Sequence, residues 1–286
     1  MTGRALLNAK CIEAAIKGLP PLPAIVTKIL EETEKETISV SQVEQLLSAD
    51  QALVAKVLRI VNSSYYGLSG QVRSLSQAIV ILGMQQVRNL VLGISAMGVL
   101  QPKALKDPGL LQRLWSESFG TAVGARIIAK SKSLGELQIE LVFVGGLLHR
   151  IGKLFLLIYF EDKLSESASL AERLGLTDIE AERQICGMSH REIGQKLGEQ
   201  WRLPADLVGL ISYEDLPSES VEATNYWIVD AAAQACRLGK DGEPIPIDLE
   251  HPAIAWVGFD EGEWDWFRRE VVMRVEAMAD YAGLAA

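Results

Sequence analysis

Apolar residues recur at helical spacing along almost the whole chain, and the two-residue alternation that is typical of strands is almost absent. The pattern therefore predicts an all-α fold. Short helices with polar breaks follow one another in the first half. Ser41 and Glu44 have the spacing of a capping box, which predicts that a helix begins there. Ser74 and Gln77 have the same spacing, and Gly83 is suited to end the helix that they begin.

The most apolar stretch covers residues 141–160, with the sequence LVFVGGLLHRIGKLFLLIYF. A run of this kind predicts a helix that is buried on most sides. His149, Arg150 and Lys153 interrupt it at the centre. His149 and Lys153 are four residues apart, so we expect them on one face of that helix. Buried charges are costly unless they are paired or face a cavity, so this polar centre is either a functional site or a paired structural cluster.

Two polar segments divide the chain. Residues 101–109, QPKALKDPG, predict a loop and a boundary between subdomains, and residues 239–252 predict a long loop with three prolines. The tail from Glu263 predicts a final amphipathic helix that places Trp264 and Phe267 in line. Docking of this helix on the body is the expected role, and a self-association face that would give a homodimer stays open as an alternative.

Composition narrows the classes of function. The 286 residues are 49% hydrophobic, the net charge is −9 and the pI is about 5.0, which argues against general DNA binding because that rests on a basic surface. Three separated cysteines predict free thiols in a reducing compartment. The beginning of the chain lacks a signal-peptide pattern, and charges interrupt the longest apolar run. We therefore expect a cytoplasmic protein without membrane insertion.

Familiar enzyme motifs are missing: the sequence has no phosphate-binding Walker loop, no nucleophile elbow and no HExxH pair. His149, His190 and Asp230 lie in separate predicted helices, and a helical bundle can build a metal site in its core from such residues. A histidine or aspartate in a core is more often a hydrogen-bonded structural residue than a metal ligand, so spacing alone favours the structural interpretation and leaves the metal site as the alternative.

Several blocks in order resemble the HDOD domain. The first half carries LPPLPAIVTKIL, LLSADQALVAKVLRIVNSSYYG and VRSLSQAIVILGMQQVRNLVL, and the second half carries LWSESFGTAVGARIIA, FVGGLLHRIGKLFL, SHREIGQKLGEQWRLP and YWIVDAAAQA. The resemblance implies a helical HD-domain-like bundle with an N-terminal helical subdomain. It divides the chain into an N-terminal extension (1–18), the HDOD domain (19–238, with halves 19–105 and 106–238) and a loop with a C-terminal helix (239–286).

The resemblance also implies relatives among HD phosphohydrolases and HD-GYP cyclic-di-GMP phosphodiesterases, and a usual role in bacterial signalling and regulation. Its metal-ligand pattern is only partly present. His149 is followed by Arg150 where the HD pattern has Asp, and Glu117 stands where a His is expected. His190 and Asp230 match the pattern, whereas a His-His pair is replaced by Tyr213 and Glu214.

Arg150 determines whether this site is expected to bind a metal ion. A guanidinium has no lone pair for a metal, and it stays protonated. It can instead pair with Glu117 or Asp230, with a gross Coulomb energy of about 4 kcal/mol near 4 Å at an effective dielectric of about 20, before desolvation. We therefore expect a degenerate site with no metal, no cofactor and no hydrolysis, because no metal-bound hydroxide would form.

The leading hypothesis is a non-catalytic signalling module that binds a regulatory protein partner. Its vestigial pocket would comprise Glu117, His149, Arg150, Lys153, His190, Tyr213 and Asp230, and its cations also suggest a phosphate-bearing small ligand. The alternative is a metal-dependent phosphohydrolase or phosphodiesterase that binds its ion through His149, His190 and Asp230, helped by Glu117 or Glu214. A third hypothesis places a partner surface at Asn62, Ser63, Tyr65 and Tyr66, where a helix cap with packed tyrosines is the structural alternative.

Overall fold

The computed structural model describes residues 2–33, 39–48, 50–62, 70–100, 105–218, 220 and 223–276, and this part of the chain is predominantly helical. The only β-type pairing among the described residues is an isolated bridge between Leu238 and Pro244. The all-α prediction is confirmed. The helices are α1 Thr2–Lys17, α2 Ala24–Thr33, α3 Val40–Leu47, α4 Gln51–Val61, α5 Leu75–Leu82, α6 Met84–Val99, α7 Pro108–Ser131, α8 Glu136–Leu148, α9 Ile151–Leu174, α10 Asp178–Cys186, α11 His190–Gln200, α12 Ala205–Ser212, α13 Thr224–Ala235, α14 Pro252–Val257 and α15 Glu261–Glu276.

Helices α7 and α8 form the centre of the molecule. They pack closely because Gly146 of α8 has no side chain: a Cβ atom there would lie 2.9 Å from the backbone of Ala122 in α7. Helix α13 packs on both, and α6 carries the N-terminal helices α2, α4 and α5 against α8. The glycine pair in the apolar run is thus a helix-packing feature.

The prediction of a single helix over the apolar run is wrong. Helix α8 ends at Leu148, and α9 begins at Ile151, with His149 and Arg150 in the turn between them. Consequently His149 and Lys153 do not share a helix face. The turn is stabilised from outside the run, because Arg191 of α11 donates a hydrogen bond to the His149 carbonyl oxygen at 3.2 Å. That carbonyl would otherwise lack a partner at the end of a buried helix.

The capping box before α3 lies two residues earlier than predicted. The Ser39 hydroxyl accepts a hydrogen bond from the Gln42 amide, and the Gln42 side chain accepts one from the Ser39 amide. Ser41 and Glu44, the predicted pair, lie inside the helix. By contrast, Ser74 caps α5 and Gly83 ends it at φ 93°, as predicted.

The stretch Glu136–Leu174 is apolar and long enough to cross a membrane by length and composition. Its most apolar window is 78% buried inside the fold, however, as in the core helices of a soluble protein. The C-terminal helix α15 also docks on this core. Trp264 and Phe267 are buried in the body, whereas Trp266 is half exposed.

Candidate functional site

The polar centre of the apolar run is built around the Arg150 guanidinium. Its Nη1 donates to Glu117 Oε2 of α7 at 2.6 Å, and its Nε donates to His149 Nε2 at 3.2 Å. The second Glu117 oxygen, Oε1, accepts the Leu238 amide at 2.9 Å. The Glu117 side chain is 8% exposed, and the Arg150 side chain is 19% exposed. The partner of Arg150 is therefore Glu117, in a largely buried and hydrogen-bonded ion pair.

His149 is held neutral in this environment. Its Nδ1–H donates to the Gly146 carbonyl oxygen at 2.6 Å, and its Nε2 accepts from Arg150, so the two ring nitrogens define one tautomer. Burial lowers the pKa of His149 well below its usual value, and the positive charges of Arg150 and Arg191 lower it further. Neither nitrogen is left with an open lone pair.

A second cluster surrounds His190, the first residue of α11. Its Nδ1–H donates to Glu182 Oε2 of α10 at 2.7 Å, and the same oxygen accepts the His190 amide at 2.7 Å. Lys153 pairs with Asp178 and lies 3.9 Å from the other Glu182 oxygen. Burial would raise the pKa of Glu182, but His190 and Lys153 outweigh it and lower the pKa. Burial lowers the pKa of His190, so this imidazole is neutral beside an ionised carboxylate.

A third cluster joins α11, α12, α13 and the start of α14. The Tyr213 hydroxyl donates to Asp230 Oδ1 at 3.1 Å, and His251 Nε2 lies 3.7 Å from Asp230 Oδ2. The Arg191 guanidinium stacks over the Tyr213 ring at 4.4 Å. Burial raises the pKa of Asp230, and the neighbouring His251, Tyr213 and Arg191 oppose that rise. Burial also raises the pKa of Tyr213 well above its usual value, so its hydroxyl stays a donor.

Glu214 and Asn62 lie apart from these clusters. Glu214 pairs with Arg183 and accepts a hydrogen bond from Ser189 at 3.3 Å, at the partly exposed edge of α10 and α11. The Asn62 side-chain amide donates to the Val72 carbonyl oxygen and its oxygen accepts the Val72 amide, both at 2.7 Å, so this residue at the end of α4 is bound to the backbone of Val72. The other interaction candidates, Ser63, Tyr65 and Tyr66, lie outside the described residues.

The donor set does not fit a divalent metal ion. Both nitrogens of His149 and both oxygens of Glu117 already have partners, and a cation lies between them. Within the described ranges, no three His, Cys, Asp or Glu side chains converge as ligands for an ion. A metal would have to displace a buried guanidinium that has no lone pair to offer.

The sequence reasoning missed several members of these clusters. Glu182, Asp178, Arg191 and His251 all contact residues of the predicted set, yet they lie outside the quoted HD pattern. Arg191 follows His190 directly and was the easiest to find. Glu182 had a weaker signal, since it lies in the second turn of α10, shortly after the capping box that Thr177 and Glu180 form.

Acidification should destabilise the fold because His149 and His190 are buried and neutral. The unfolded chain takes up protons at both imidazoles near pH 6.5, whereas the native state resists protonation. As the pH falls below about 6.5, we expect the free energy of unfolding to drop by up to about 1.4 kcal/mol per pH unit for each imidazole. Asp230 acts in the opposite direction at lower pH, because its pKa is raised in the native state.

Urea unfolding at intervals from pH 7.5 to 5 measures this slope. Each of the variants His149→Gln and His190→Gln should remove about half of this dependence of the unfolding free energy on pH. A double variant with the wild-type slope would show that other groups set the pH dependence.

Comparisons with known proteins concern the family and the fold. The family model for the HDOD domain matches residues 19–217. An uncharacterized protein of Treponema pallidum (strain Nichols) is 27% identical over 214 residues, 72% of this chain. The chain covers only 39% of the length of that relative.

Solved structures share the fold over nearly all of the chain. An HDOD domain protein of unknown function from Geobacter sulfurreducens is 23% identical, with a TM-score of 0.71 over 100% of this chain and 99% of that one. A candidate phosphohydrolase from Shewanella amazonensis SB2B is 23% identical, with a TM-score of 0.64 over 96% and 95% of the two chains. A candidate signal transduction protein from Marinobacter aquaeolei VT8 is 20% identical, with a TM-score of 0.67 over 99% of this chain and 66% of that one. At these identities the likeness concerns the fold.

Proposed function

Because the chain belongs to the HDOD domain family, we propose that it is a non-catalytic, cytoplasmic signalling module that acts by binding a regulatory protein partner. HDOD domains resemble phosphohydrolases in fold, but their usual role is in bacterial signalling. We therefore assign this chain the signalling role of its family and not the phosphoester hydrolysis of the related phosphohydrolases.

One observation carries the non-catalytic part: Arg150 donates to both Glu117 and His149. Metal-dependent phosphoester hydrolysis needs an ion that activates water and polarises the phosphoryl group. Here the oxygen and nitrogen lone pairs that such an ion requires are occupied by a guanidinium, which is a permanent cation. The ion pair satisfies the buried carboxylate without any bound ion.

The contacts do not favour a phosphate-bearing ligand in this pocket. Arg150 is paired with Glu117, Lys153 with Asp178 and His190 with Glu182. Arg150 and Lys153, the cations of the predicted pocket, thus already have carboxylate partners, and the neutral His190 adds no positive charge. The pocket cations thus belong to internal pairs, and the proposal rests on a protein partner. The chain's net charge of −9 favours a partner with a basic surface.

Metal analysis of protein purified without chelators tests the proposal. We expect far less than one equivalent of transition metal, and no turnover of a generic phosphodiester with added Mn²⁺. Arg150→Asp is the matched variant, because it restores a carboxylate at the position of the guanidinium. If the scaffold is otherwise intact, Mn²⁺ should raise the melting temperature of this variant and leave that of the wild type unchanged.

The opposite outcome is equally clear. The wild type could contain one equivalent of tightly bound transition metal and show turnover that His149→Ala abolishes. That result would overturn the non-catalytic proposal in favour of a metal-dependent phosphohydrolase.

A further inference from the structure

The segment between α13 and α14 reaches two carboxylates of the site. Residues 237–251, called the strap below, run from the end of α13 to the start of α14. The Leu238 amide donates to Glu117 Oε1 at 2.9 Å near one end of the strap. At the other end, His251 Nε2 lies 3.7 Å from Asp230 Oδ2. The strap therefore begins and ends on the vestigial site.

The two carboxylates divide their oxygens in the same way. Glu117 Oε2 accepts a hydrogen bond from Arg150 inside the domain, and Glu117 Oε1 accepts one from Leu238 of the strap. Asp230 uses Oδ1 for Tyr213 inside the domain and turns Oδ2 toward His251. Each buried carboxylate thus has hydrogen-bond partners in the bundle and also faces the strap, Glu117 through a hydrogen bond and Asp230 through the 3.7 Å approach of His251.

The strap is weakly held between these ends. None of its residues is buried, whereas the helices on either side are anchored by buried side chains such as Ala253 and Ile254 of α14. One of its side chains, Ile247, packs partly buried against the core, and its other contacts with the helices include polar ones: Arg113 donates to the Lys240 carbonyl oxygen at 2.6 Å, and Arg268 donates to that of Ile245. Segments with few buried apolar contacts open locally at a small fraction of the global unfolding free energy.

We infer that the strap is a releasable cover, hydrogen-bonded at one end to Glu117, facing Asp230 at the other end, and able to open while the helical domain stays folded. Release exposes Glu117 Oε1 and Asp230 Oδ2, which are both hydrogen-bond acceptors. A partner segment that replaces the strap must therefore present donors, which fits a basic peptide. These contacts exist whether or not the domain hydrolyses a substrate, so the inference stands apart from the proposed function.

Native-state hydrogen exchange on the full chain tests the strap. The Leu238 amide donates to Glu117, so its exchange reports release of the strap from the site. The amides of Gly239 and Ile245 donate to the carbonyl oxygens of Glu243 and Arg237 within the strap, so they report opening of the strap itself. Their rates should change little with low denaturant, because local opening exposes little surface. Amides in α11 and α13 should show the steep dependence of global unfolding. The same steep dependence at the strap amides would overturn the inference.

Two variants test the ties separately. Glu117→Gln removes the carboxylate charge, and we expect it to accelerate exchange at Leu238 about tenfold more than in α13. His251→Asn keeps a capping side chain for α14 but no longer reaches Asp230, so it should accelerate the strap amides and leave α13 unchanged. The control variant Lys106→Ala breaks an exposed ion pair with Asp162 far from the strap. It should change the exchange rates of neither the strap amides nor the α13 amides. Equal acceleration of strap and α13 in both tie variants would overturn the inference.

Discussion

Replacing Gly152 by alanine is expected to leave little folded protein. Gly152 lies in the first turn of α9, where that helix meets the start of α11. A Cβ atom at this position would lie 1.9 Å from the His190 carbonyl oxygen and 2.8 Å from the Gly194 amide nitrogen. Both neighbours are backbone atoms, so no side-chain rotation relieves the overlap. The two helices would have to separate, and the His190 cluster with them.

The expected cost is large relative to the stability of a domain. Overpacking a core costs about 1–3 kcal/mol where side chains can adjust. A clash with the backbone exceeds that range, and total stabilities are only about 5–15 kcal/mol. Circular dichroism and urea unfolding measure the effect.

Gly98→Ala is the control for this substitution. Gly98 lies in α6, and no heavy atom comes within 4 Å of a Cβ placed there. Alanine should stabilise that helix by about 1 kcal/mol. If Gly152→Ala were as stable as Gly98→Ala, the close approach of α9 to α11 would be refuted.

Removal of the Arg150 guanidinium is expected to produce the second large effect. Arg150→Met leaves the Glu117 carboxylate buried, with the Leu238 amide as its remaining partner. Breaking a buried pair from one side costs about 3–5 kcal/mol. Because the Arg150 side chain is 19% exposed, we expect the lower end of this range. Chemical unfolding gives the change in free energy.

The double variant Glu117→Gln/Arg150→Met separates charge burial from packing. With both charges removed, the loss should be clearly smaller than the sum of the two single losses, with a coupling energy of about 1–3 kcal/mol. Lys106→Met breaks an exposed ion pair and should leave the unfolding midpoint unchanged. Strictly additive single losses would show that Arg150 and Glu117 do not depend on each other.

Local patterns predicted most helices, and they failed where distant residues decide the outcome. The turn at His149 and Arg150 carries no proline or glycine of its own. It forms because Gly146 and Arg191 satisfy the polar groups of His149, and Arg191 is supplied by a helix forty residues away. Near α3 two capping patterns overlap, Ser39 with Gln42 and Ser41 with Glu44, and spacing alone cannot choose between them.

The candidate site was predictable only in part, since some of its members and the pairing of Arg150 with Glu117 were expected and the other contacts were not. The family pattern pointed to Glu117, His149, Arg150, His190 and Asp230. It could not show that Glu182 holds His190 or that the Leu238 amide completes Glu117, because both contacts join segments that only the tertiary fold brings together. The short helix α14 was also missed, since its six residues are too few for a helical period to stand out.

The charges at the centre of the apolar run also matter before the chain has folded. Without Arg150 and Lys153, residues 141–160 would read as a stretch long enough for a membrane helix. An arginine or lysine near the middle of such a helix costs about 2.5–3.5 kcal/mol on insertion. The same two cations that are paired inside the native bundle therefore oppose entry of the newly made segment into a bilayer.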